Sequence, residues 1–100
     1  MTITEFQALI ERIYGAKDRA RGLPATYMWF SEEVGELTRA LRRGDDPQNL
    51  AEEFADVLAW LSTMASISGV DLEAAARKKY GAGCPYCHAT PCACGPAKND

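Results

Sequence analysis

Between Phe30 and Leu61 one pattern occurs twice: an apolar stripe at helical spacing, with two carboxylates three residues apart along its edge. The first copy sets Glu33 and Glu36 beside Val34, Leu37 and Leu41; the second sets Glu53 and Asp56 beside Phe54, Val57, Leu58 and Leu61. Positions three apart on a helix project from neighbouring points of one face, so each pair of acids can reach a common ion. Packing the two stripes together draws all four acids toward one another, and acids gathered between helices repel unless a cation sits among them. Either pair alone would ordinarily be read as a solvated helix face. The neighbours argue otherwise: Glu33 and Glu53 adjoin the stripes, and Asp56 opens the apolar run Val57-Leu58-Ala59-Trp60-Leu61.

Two facing carboxylate pairs make an all-oxygen site. Hard divalent cations suit such a site, and Mg2+ in particular takes carboxylates while keeping positions for water and phosphate oxygens. Zinc favours nitrogen and sulfur.

The remaining periodicity predicts helices throughout the first 80 residues. A first helix begins near Thr4 as its cap, runs through Phe6, Leu9, Ile10 and Ile13, and frays at Gly15 to Asp18. Gly22 and Pro24 make the segment from Arg19 to Pro24 a loop. A second helix spans Ala25 to Arg43 and stops at Gly44, its last turn holding Arg39, Arg42 and Arg43 against the negative end of the dipole. Asp46 as cap and Pro47 at the first helical position start a third helix that reaches Ser68 and stops at Gly69. Asp71 caps a shorter fourth helix, Leu72 to Tyr80. Strand signals are absent and the connections are short, so the expected fold is an all-α antiparallel four-helix bundle over residues 1–80, followed by an irregular Cys-rich tail over 81–100.

A chain of 100 residues with 47% hydrophobic content makes one small domain. A core of that size is marginal without a metal or self-association, so a symmetric homo-oligomer is expected. The net charge is −3, and removing the four acids above leaves +1, so the acidity is local. No Lys/Arg excess marks a nucleic-acid polymer as partner. No apolar run approaches the roughly 20 residues that cross a bilayer, and the start of the chain lacks the regions of a signal peptide. The expectation is a cytoplasmic protein with no membrane partner.

The stretches Glu32-Glu33-Val34-Gly35-Glu36-Leu37 and Glu53-Phe54-Ala55-Asp56-Val57-Leu58 resemble the signature of the MazG-type all-α nucleotide pyrophosphatases, E-E-x-x-E followed by E-x-x-D, and match it at every named position. The resemblance covers Thr4 to Tyr80. It implies a helical domain that assembles as a homodimer or homotetramer and hydrolyses a nucleoside triphosphate to the monophosphate and pyrophosphate. It also implies Glu33, Glu36, Glu53 and Asp56 as Mg2+ ligands. Glu32 matches the family's leading acid, either orienting water behind the ligands or facing solvent. This chemistry suits carboxylates, because phosphoryl transfer is catalysed mostly by metal ions that neutralise phosphate oxygens and activate water.

Phosphates also require cations. Lys17, Arg19 and Arg21 before the second helix and Arg77, Lys78 and Lys79 at the end of the fourth are candidates, and the family resemblance points to Lys78 or Lys79. The ordinary reading of the latter group is favourable placement at a helix C-terminus. Of the aromatic residues Tyr27, Trp29 and Phe30, Trp29 lies one turn before Glu33 and is the candidate for stacking on a base, against the ordinary reading of such residues at the start of a bundle helix as core or subunit interface; Trp60 is expected to pack inside.

The tail reads Cys84-x2-Cys87-x4-Cys92-x-Cys94, and the first 83 residues hold no cysteine. Disulfides there would staple the tail alone, whereas closely spaced Cys pairs around Gly and Pro suit a structural zinc ion. His88, adjacent to Cys87, is awkwardly placed to ligate with it. The tail lies outside the family's usual catalytic domain. Two further functions compete with triphosphate hydrolysis: phosphoribosyl-ATP pyrophosphatase, on a similar scaffold, and a non-catalytic adaptor acting through a zinc-bearing tail.

Overall fold

A computed structural model describes residues 1–96, so the last four residues of the tail lie outside it. Four helices follow in order, α1 (Ile3–Arg21), α2 (Leu23–Arg43), α3 (Pro47–Ile67) and α4 (Leu72–Tyr80), and no strand occurs among the described residues. The all-α four-helix architecture expected from periodicity is therefore the one observed.

The first helix departs from expectation at both ends. Its cap is Thr2, not Thr4: the Thr2 hydroxyl accepts the Glu5 N–H at 3.0 Å while the Glu5 carboxylate accepts the Thr2 N–H at 2.7 Å, a reciprocal capping box. Thr4 instead donates its N–H to Glu73 of α4 at 3.0 Å. The helix does not fray at Gly15 to Asp18, because both of these residues are buried. The expected loop from Arg19 to Pro24 shrinks to one residue, Gly22, whose φ of 85° turns the chain directly from α1 into α2. Pro24 causes no break, since it falls in the first turn of α2, where a missing N–H leaves no bond unmade. The starts of α3 and α4 agree with expectation: Asp46 accepts from Asn49 N–H, and Asp71 from Ala74 N–H.

The α2–α3 hairpin is the main packing unit, and α1 lies against α3. Contacts of Gln7 with Ser66 and Val70, and of Asp18 with Thr63, run these two helices antiparallel. One side chain organises the corner where α3 gives way to α4. Gln7 donates to Val70 O at 2.8 Å and Ser66 Oγ at 3.1 Å, and its Oε1 accepts the Leu72 N–H at 3.0 Å.

The interior is thin. Ile10, Ala40 and Ala65 are the buried apolar residues among those described, while Val34 and Leu41 of the first stripe and Phe54, Leu58 and Leu61 of the second stay exposed. The accessible surface is 7235 Å². A compact monomer of 10.9 kDa would expose about 5,600 Å². The radius of gyration, 16.0 Å, likewise exceeds the value of about 13 Å for a compact 100-residue chain.

Candidate active site

Asp46 and Pro47 start α3 so that Glu53 and Asp56 reach the flank of α2, from which Glu33 projects. Carboxylate oxygens of Glu33, Glu53 and Asp56 lie within 4.8 Å of one another. Glu33 is tied to α3 a second time, by a hydrogen bond of 3.3 Å that its Oε2 accepts from Trp60 Nε1. Burial, then the charge of Asp56, pushes the Glu33 carboxyl above its ordinary value of 4.5, with Glu53 adding to the rise and the Trp60 N–H opposing it. Three acids at this spacing with one kept from ionising freely fit a divalent cation, which reverses the repulsion.

Of the remaining acids singled out in the sequence, Glu36 lies outside this cluster and is paired with Arg39 one turn along α2. Glu32 is exposed.

The shifted Glu33 gives a pH dependence whose sign is fixed. Its folded-state value lies above the unfolded one, so its contribution to stability is fully present below about 4.5 and is lost as pH rises through the higher folded value. In metal-free protein, Glu33→Gln is therefore expected to flatten the fall in melting temperature between pH 4.5 and neutrality. Parallel pH profiles for the two proteins in chelator would refute the placement of Glu33 among like charges.

A cavity of about 290 Å³ adjoins the acids between α1 and α3, lined by Tyr14, Lys17, Asp18, Arg21, Asp56, Ala59, Trp60 and Thr63. Its floor is a buried polar network. Asp18, only 4% exposed, accepts from Thr63 Oγ1 at 3.1 Å and from Arg21 at 2.9 Å. Arg21 also donates to Thr26 Oγ1 at 3.1 Å, and its guanidinium lies 5.0 Å over the Trp60 ring. A cation so held has little rotamer freedom left to lose on meeting an anion.

Trp29 stacks on Trp60, ring centroids 6.3 Å apart and planes 13° from parallel, so the stacking candidate stands beside the acid cluster. Trp60 is not simply core: half-buried, it lines the cavity and holds Glu33. Lys78 and Lys79 are placed elsewhere. Helix α4 meets α1 at the first turn of α1, through Thr4 and Glu73, whereas Asp18 and Arg21 stand at its other end. Lys78 lines a separate open groove with Asp71 and Glu73, and Lys79 lies over the ring of Tyr80.

Sequence reasoning named Lys17 and Arg21 as cations but missed Tyr14, Asp18 and Thr63. Tyr14 and Thr63 carried no signal. Asp18 carried one, an acid three residues before Arg21 inside an amphipathic helix, but the expected fraying hid it.

In the tail, the sulfur atoms of Cys84, Cys87, Cys92 and Cys94 come within 4.8 Å of one another, and all four cysteines are free. Four thiols so close together can hold a metal such as zinc. Hydrogen bonds from the backbone amides of Ala93 and Ala89 lower the Cys87 thiol to about 6, while burial and then the neighbouring sulfurs push Cys94 up to about 12.

No helix among the described residues is long and apolar enough to cross a membrane. A comparison with curated proteins finds no match. The family model of the MazG nucleotide pyrophosphohydrolase domain matches residues 22–88, a span that takes in α2, α3, α4 and the Cys84–Cys87 pair and leaves α1 outside. With the match covering two thirds of its length and holding every acid of the cluster, this chain belongs to the MazG nucleotide pyrophosphohydrolase family.

Proposed function

We propose that the chain hydrolyses a nucleoside triphosphate to the monophosphate and pyrophosphate at the acid cluster, with Mg2+ as its metal. The observation that carries this reading is the convergence of Glu33, Glu53 and Asp56 beside a cavity that contains Lys17 and Arg21. Water adds at the α-phosphorus, the bond to the β-phosphate oxygen breaks, and pyrophosphate leaves. When bound, Mg2+ neutralises phosphate oxygens and lowers the pKa of water. Glu33, Glu53 and Asp56 hold the metal, and Glu36 joins them by turning from Arg39, one helical turn away. Trp60 keeps Glu33 in its rotamer through the indole N–H. Arg21, held by Asp18 and Thr26, meets the negative charge of the phosphate chain with Lys17 beside it. Trp29 offers the exposed face of its stack with Trp60 to the base. Lys78 and Lys79, which the family resemblance proposed for phosphate, stand apart from the acids of their own chain and would act only on a site of another subunit.

The protein works as a homo-oligomer in this reading, a homodimer through the α2–α3 hairpin. The surface in excess of a compact monomer, about 1,600 Å² per chain, matches one side of an obligate homodimer interface, which buries about 2,000–5,000 Å² in total. The exposed Phe54, Leu58 and Leu61 supply its apolar character.

A panel of ribo- and deoxyribonucleoside triphosphates with phosphoribosyl-ATP, assayed with Mg2+ for both products, tests the activity. The expected result is pyrophosphate and monophosphate in equal amounts from at least one triphosphate. Orthophosphate as the primary product, or no turnover of any triphosphate, would overturn it. Turnover confined to phosphoribosyl-ATP would assign the runner-up activity.

A further inference from the structure

The acid cluster makes no use of the tail, where a second and chemically different site is built. We propose that Cys84, Cys87, Cys92 and Cys94 bind one Zn2+ ion as four thiolates, in a backbone turn already shaped for it, and that His88 forms the turn and does not ligate the metal.

Two sulfurs bound tetrahedrally at about 2.3 Å from one zinc stand about 3.8 Å apart. Cys84 Sγ and Cys94 Sγ are 3.7 Å apart, and all four sulfurs lie within 4.8 Å of one another. The chain arrives at this spacing by doubling back. Cys84 N–H donates to Ala89 O at 3.1 Å, and His88 N–H donates to Cys84 O at 2.7 Å. Gly83, at φ 105°, permits the approach: a Cβ there would stand 2.8 Å from Thr90 Oγ1 and 3.0 Å from Ala89 O. His88 adopts φ 61°, which places it at the bend after the Cys84–Cys87 pair.

The turn also aims its amides at the sulfurs. Ala93 N–H donates to Cys87 Sγ and Cys94 N–H to Cys92 Sγ, each at 3.3 Å. Donors placed around ligand sulfurs stabilise thiolate and fix ligand orientation, as outer-shell groups do in metal sites. From Gly81 to Gly95 the tail has neither α-helix nor strand, and none of its side chains is fully buried. A segment with so little apolar burial lacks the means to hold four side chains together by packing, whereas a structural zinc supplies folding free energy directly. Soft sulfur ligands in a tetrahedral set select zinc or an iron–sulfur centre over the hard cation of the acid site.

The full chain, purified without chelator from zinc-supplemented medium, is assayed for zinc, iron and reactive thiols. One zinc per chain is expected, with the four thiols unreactive until a mercurial displaces the metal. Exchange into Co2+ should give the visible bands of tetrahedral cobalt thiolate. Cys87→Ser and Cys94→Ser should each lose stoichiometric zinc while keeping the helical circular dichroism of α1 to α4. His88→Asn, a residue that tolerates positive φ, should keep the metal. Four freely reactive thiols without metal, disulfides, or iron in place of zinc would each overturn the site, and loss of zinc from His88→Asn would overturn the role given to His88.

Discussion

Replacing Glu53 by Gln is expected to reduce pyrophosphate release by more than about a hundredfold, since even outer-shell partners of metal ligands cost about ten- to a hundredfold when removed. The substitution preserves size and removes one charge from a cluster in which Glu33 already resists ionisation because of burial and its neighbours. The fold has no stake in that charge. Among the described residues Glu53 makes no ion pair, and the caps of α3 lie a full turn or more away at Asp46 and Ser68. Helical circular dichroism should be unchanged, and melting in chelator equal or slightly higher. The measurement is a coupled pyrophosphate assay across a Mg2+ titration, which separates a weakened metal affinity, recovered at high Mg2+, from a lost reaction. Turnover within a few-fold of the parent at every Mg2+ concentration would remove Glu53 from the mechanism.

The second large effect concerns assembly. Leu58→Glu is expected to convert the oligomer to a monomer, or to a chain that unfolds at much lower temperature. Phe54 and Leu58 are 52% and 41% exposed on one chain, so burying what remains is worth about half of the full-burial value, or about 0.7–1.5 kcal/mol each. A carboxylate at position 58 forfeits that gain and sets like charges across a two-fold interface. Light scattering of the parent should give a multiple of the 10.9 kDa chain mass, and its melting temperature should rise with protein concentration. A parent that stays monomeric at micromolar concentration, melting independently of concentration, would refute the interface and leave the exposed stripes unexplained.

The helical architecture was legible because apolar spacing and cap residues agree in this chain. Asp46-Pro47 and Asp71 name their helix starts in three residues or fewer, and the structure places them there. The start of α1 was less legible, since Thr2 and Thr4 both suit a cap and only the reach of Glu5 back to Thr2 decides between them. Gly22 and Pro24 looked like a loop because each disrupts a helix interior, yet at a junction the first turns the chain and the second starts the next helix. The acids were legible as two i, i+3 pairs. That three of them converge while Glu36 turns to Arg39 depends on rotamers and on a rival cation, which linear spacing does not encode. The cavity was the least legible part. Tyr14, Asp18 and Thr63 meet only when α1 lies antiparallel along α3, a relation between segments more than forty residues apart in sequence.

The single-residue junction at Gly22 falls where the family match begins. The chain is thus written as two consecutive passages. The later one, from Gly22 on, carries the acids, whereas the earlier one contributes Tyr14, Lys17, Asp18 and Arg21 to the cavity wall. Under the proposed function, every metal ligand lies in the later passage, whereas Lys17 and Arg21, which meet the phosphate chain, come from the earlier one. A side chain at position 22, where φ is 85°, would therefore strain the joint between the cations and the acids without touching a single metal ligand.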